Sequence, residues 1–142
     1  MLDLQTDIIQ RIQDHVQGLV TVANPSVLVG MRDIGLLLPA AIIVPGSGEP
    51  DEQKIPSLPM LEHQEWTVVV IVAHQATNTD NGLTEQIAGG FMTAILKALH
   101  GKKEPGWAQK YGFIYKGRKE PDYNLGYAEF PMTFVSKAVI GI

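Results

Sequence analysis

Nine consecutive residues, Glu65-Trp66-Thr67-Val68-Val69-Val70-Ile71-Val72-Ala73, restrict the fold more than any other part of the chain. In an extended strand, Trp66, Val68, Val70 and Val72 point to one side, and Thr67, Val69, Ile71 and Ala73 to the other. A strand that is apolar on both sides belongs in the middle of a sheet, with cover on each face. Two helix-period stripes can supply such cover. Leu4, Ile8, Ile9, Ile12, Val16 and Leu19 form the first, with Asp3 placed to cap it and Gly18 to end it. Leu83, Ile87, Phe91, Ile95 and Leu99 form the second at strict four-residue steps, widened by Ala94 and Leu96. Asp80 or Asn81 could cap this second helix, Gly101 would end it, and Pro105 follows.

The remaining segments read as strands and turns. Leu19–Val22 and Ser26–Val29 are β-prone pieces split by Asn24-Pro25, and Arg32-Asp33 marks a turn. Leu36–Val44 reads as a strand whose Pro39 suits an edge or a strand start. Tyr111–Tyr115 is another strand, followed by a turn over Lys116–Asp122. Leu125–Val139 closes the chain, with Ala128, Phe130, Met132 and Phe134 alternating against Tyr127, Glu129, Thr133 and Ser136. The expectation is one α+β domain over residues 1–142, a mostly antiparallel or mixed sheet flanked by two main helices.

Two features stand apart from that regular pattern. Pro45–Pro59 holds four prolines and two glycines in fifteen residues, a composition that predicts a long flexible loop or one that orders against a partner. Gly46, Gly48 and Lys54 are its candidate interface residues. Gly89-Gly90 sits inside the second helix, where each glycine costs about 1 kcal/mol relative to alanine. Close approach of another backbone, from a strand or a second subunit, would account for the pair.

Catalytic and metal-binding patterns are weak. The chain has no cysteine, which removes thiolate sites and disulfides. His63 and Glu65 share one face of the valine strand and His74 takes the other, so these groups do not converge on a metal or a proton-transfer site. Gly46-Ser47-Gly48 lacks the strand-to-helix setting of a nucleophile elbow and the lysine of a phosphate loop. No cofactor is expected. The longest apolar run, Val68–Ala73, is far short of the roughly 20 residues needed to cross a bilayer. With an acidic start and no secretory pattern, the chain reads as cytoplasmic, with no membrane partner.

Charge is unevenly distributed. Residues 1–100 hold eleven acids against four bases, giving −7, and residues 101–142 hold seven bases against four acids, giving +3. Lys116, Arg118 and Lys119 belong to the basic stretch and are candidate interface residues, able to meet an acidic region of a neighbouring copy. Sequence-specific nucleic-acid binding is not expected at a net charge of −4 with sparse aromatics.

The Trp-led valine strand, a polar turn, a helix ending Leu99-His100-Gly101, Gly106-Trp107 and a final apolar strand through Phe134-Val135 follow in that order. This order resembles the tail terminator proteins of tailed bacteriophages and prophages, the Mu-like and lambda-like group in particular. The resemblance implies a non-enzymatic structural protein that forms a ring, commonly a hexamer, on the last layer of the tail tube. It implies arrest of tube polymerisation and a surface for head joining. The implied partners are further copies of itself, the tail tube protein and a head-tail connector protein. The implied location is the virion tail, after assembly in the host bacterial cytoplasm. Another neck or adaptor component is the alternative within the virion, and a small hydrolase with an unfamiliar site is the alternative outside it.

Overall fold

The computed structural model describes residues 1–29, 33–52, 56, 58–74, 82–107 and 109–141. Two helices, α1 (Asp3–His15) and α2 (Leu83–Leu99), pack on one face of a six-stranded sheet. The strands are β1 (Thr21–Ala23), β2 (Ala40–Pro50), β3 (Met60–His74), β4 (Ile114–Arg118), β5 (Asp122–Tyr123) and β6 (Gly126–Ile140), in spatial order β1-β2-β3-β6-β4 with β5 also on β6. Only β1 and β2 run parallel, so the sheet is mixed and the domain is α+β as expected.

The valine strand is central, between β2 and β6, and it pairs with β6 along its whole length from Met60↔Ile140 to His74↔Gly126. Its Trp66, Val68, Val70 and Val72 side is buried under the helices together with Leu4, Ile8, Ile12, Ile95 and Leu99. Cover on the other side is partial. Ile71 joins Ala40 and Ile42 beneath two 3-10 turns, Pro25–Leu28 and Ile34–Leu37, whereas Glu65 and Thr67 remain half-buried. Arg11 locks the helix pair by donating to the Ala98 carbonyl (3.0 Å) and pairing with Glu104. A cation there also complements the carbonyl-rich end of α2.

Several sequence expectations change, each for a local reason. Pro45–Pro50 is strand, not loop: β2 continues through it by means of a bulge between Pro45 and Gly48. A bulge absorbs the irregular backbone and bends the strand, and two prolines are tolerated because, among the described residues, this stretch of β2 has no partner strand on its outer side. Ser26–Leu28 is a 3-10 turn rather than a strand, because the Asn24 side chain accepts from Ser26 N (3.0 Å) with Pro25 at the first turn position. Asp33 does the same for Gly35 N (2.9 Å), so Ile34–Leu37 also leaves the strand and β2 starts only at Ala40, after Pro39. Lys116–Arg118 continues β4 instead of turning, and Asp122–Tyr123 adds a short strand. Ser136 lies on the buried side of β6 with Phe134, not on the wet side, and is satisfied there by a hydrogen bond from the Gln109 side chain (2.8 Å). Asp3 is the first residue of α1 rather than its cap, and α2 is preceded by Gly82 in a left-handed conformation. Arg32, Lys54, Asp80 and Asn81 lie outside the described residues.

Candidate assembly surface

The second apolar stripe divides in two. Ile95 and Leu99 are fully buried, and Phe91 packs at the core edge against Gly18. Leu83 and Ile87, on the same stripe, are 56% and 44% exposed. The cause is the length of α1: it stops at His15, and Gly18 meets α2 at Phe91, so the first two turns of α2 extend past it. Leu125, in the turn between β5 and β6, is 92% exposed, and Tyr123 beside it is half-exposed. Tyr123 donates to Glu85 of α2 (2.7 Å), which brings that turn to the same end of the subunit as the uncovered half of α2.

The opposite flank of α2 borders a groove. The helix does not reach across β6 to β4, leaving a cavity of about 500 Å³ floored by Met92 and Phe130, with Gly89 in its wall and Arg118 and Lys119 on its rim. Gly89 and Arg118 also line a second hollow that continues along α2 toward Leu96 and Tyr115. Three of the candidates read from the sequence, Gly89, Arg118 and Lys119, are thus brought together. Lys116 is not. Strand alternation from Tyr115 puts it on the sheet's other face, beside Glu49, Glu65, Ile114 and Val135, and the β-bulge between Tyr115 and Gly117 then returns Arg118 to the face of α2.

The glycines differ in their surroundings. Added Cβ atoms at Gly89 and Gly90 would meet nothing within 4 Å, so no described residue crowds these two positions within the subunit. Gly46 and Gly48 are the crowded pair. A Cβ at Gly46 would lie 2.8 Å from the Glu65 carbonyl oxygen, and one at Gly48 would collide with the Glu62 carboxylate. Their place in the sequence follows from the β2 bulge pressing on β3.

The polar groups form local ties and not a convergent centre. His63 Nε2 lies 2.6 Å from Asp51 Oδ1, and Lys137 Nζ lies 3.1 Å from Asp51 Oδ2, fastening the end of β2 across β3 to β6. The hydrogen bonds from His63 and then Lys137 hold the Asp51 carboxyl below its ordinary range. His74 is on the opposite face, 2.8 Å from Thr84 Oγ1 and packed on the Tyr123 ring. Glu65 lines an open hollow with His63 and does not reach His74. Burial, then Asp3, raises the Asp7 carboxyl, and burial, then Asp122, raises that of Glu129. Among the described residues, no group of three or more His, Asp or Glu side chains is placed to hold a metal ion, and no helix is long and apolar enough to cross a membrane.

Comparison with solved structures finds a chain of the virion of a native gene transfer agent (GTA) particle, with a TM-score of 0.61 and 12% identity over 96% of this chain and 95% of that one. At that identity the likeness shows a shared fold. No curated protein matches. The family model described as phage tail terminator protein matches residues 1–142, the entire sequence. On that match, the chain belongs to the phage tail terminator family, a family of structural proteins of phage tails.

Proposed function

We propose that copies of this chain close into a ring, a hexamer by the family resemblance, that caps the tail tube. The ring stops tube polymerisation and offers a surface for a head-tail connector. The observation that carries the ring is the apolar surface left exposed on both flanks of α2, whose inner side is buried at Thr84 and Ala88: Leu83 and Ile87 on one flank and the Met92–Phe130 groove on the other. A closed ring needs two different surfaces per copy, because each copy contacts one neighbour on each side. The two flanks of α2 supply such a pair, with Arg118 and Lys119 on the groove rim. Apolar side chains left in water at these positions gain about 25 cal/mol for each Å² that a neighbour covers. The matched family and the fold shared with a chain of a gene transfer agent virion support a place in the virion tail.

The test is electron microscopy of tails assembled with and without the chain. Its absence should give overlong tubes without heads, and adding it back should restore tubes of uniform length joined to heads. Uniform, head-bearing tails in its absence would overturn the capping role.

A further inference from the structure

Between α1 and α2, on the flank away from the groove, lies a notch of about 300 Å³ lined by Arg11, His15, Lys97 and Lys102, with Ala94 and Ala98 at its base. The cations gather there because both helices end nearby. His15 is in the last turn of α1, Lys97 is in the last turn of α2, and Lys102 follows α2's end. The helix carbonyl termini account for some of this positive charge, and Glu104 accounts for Arg11. Lys97 and Lys102 remain exposed, and so does His15.

The same chain carries a complementary surface. From Pro45 to Glu52 every described side chain but Asp51 is exposed, along an edge of β2 that no strand covers among the described residues. Pro45 and Pro50 lack an N–H, so this edge is a poor template for backbone pairing with another strand. A partner at this edge is therefore held through side chains. Asp51 is already engaged by His63 and Lys137, which fixes the end of β2, and Glu49, at the border of the open hollow that holds Lys116, and Glu52 are the exposed acids of this stretch.

The geometry points to an ionic joint between copies: the Glu49–Glu52 stretch at the end of β2 of one subunit enters the Arg11–Lys97–Lys102 notch of the next. This deepens the ring reading and rests on it. The notch and the acidic stretch are different surfaces of one chain, as a head-to-tail contact requires, and opposite charges at such a contact set its register and exclude mismatched orientations.

The test is a charge swap, read as solution mass by light scattering across protein concentration and salt. Lys97→Glu with Lys102→Glu should weaken assembly by about tenfold or more, as should Glu49→Lys with Glu52→Lys, because like charges then face each other. The chain carrying all four substitutions should regain assembly, since opposite charges meet again. The effect should shrink in 1 M salt, where charges are screened within about 3 Å. All four positions are exposed, and unchanged melting of each variant shows that folding is intact. A native chain that assembles while both double variants assemble equally well overturns this joint and leaves the ring standing. A fourfold variant no better than the double variants also overturns it. A native chain that stays monomeric overturns ring and joint together. Loss of binding to duplex DNA in the lysine variant, with no change in mass, would reassign the notch to nucleic-acid phosphate and overturn the joint.

Discussion

The two helices carry apolar stripes of similar clarity, yet they do different things. In α1, Leu4, Ile8, Ile12 and the following Val16 are all buried against the sheet. In α2, Ile95 and Leu99 are buried, whereas Leu83 and Ile87 face water. Helical periodicity reports that a face is apolar. Which residues cover that face depends on how far the neighbouring elements extend, and α1 is too short to cover all of α2. The surplus stripe is the apolar surface that the proposed ring would cover.

Substitution along α2 tests this division most sharply. Ile95→Ala should cost about 2–5 kcal/mol of subunit stability, as large-to-small changes in a packed core do. Ile87→Ala should stay within about 0.5 kcal/mol in the monomer, as for surface changes. Denaturant unfolding of the two variants makes the comparison, and equal losses would show Ile87 to be core. The next largest effect is expected at the β2 bulge. Gly46→Ala forces a methyl against the Glu65 carbonyl and should cost about 1–3 kcal/mol, again by denaturant unfolding. Gly90→Ala should act in the opposite direction, stabilising the monomer by up to about 1 kcal/mol because its Cβ meets open space. A gain in the monomer with a loss of assembly would place a second subunit against that turn of α2.

The central strand, both main helices and β6 were legible because each has a strong period: valines on both faces, four-residue steps, or strict alternation. The 3-10 turns were not, since Asn24 and Asp33 each redirect the backbone through a single side-chain bond that hydrophobic pattern does not record. Pro45–Pro50 misled because proline and glycine content signals an irregular backbone without saying whether a bulged edge strand can hold it. At the surface, Gly89, Arg118 and Lys119, singled out as a helix glycine and part of a charge run, line one groove. Exposure of Leu83 and Ile87 could not be found that way, because it depends on where α1 stops. Within the subunit, close backbone approach occurs at Gly46 and not at Gly89-Gly90, which leaves the second-subunit alternative for that pair to the Gly90→Ala test.

The smallest expected effect concerns acid. Asp51 has its carboxyl pKa lowered in the folded chain, so the tie it makes is fully present above the ordinary value of 3.8 and is lost as pH falls through the lower folded value. Melting temperature compared between the native chain and Asp51→Asn should differ at neutral pH and converge below that point. A difference that persists unchanged in strong acid would remove Asp51 as the clasp of β2.

The most direct test of an incomplete subunit is the mass of the native chain in solution, by light scattering, at low and high salt. A closed ring predicts one discrete multiple of the subunit mass that does not grow further with concentration. If Leu83, Ile87 and the groove dominate the contact, that multiple survives high salt. If the charged surfaces dominate, it falls as salt rises. A monomer at every concentration and salt, with Leu83 and Ile87 left in water, would contradict the account.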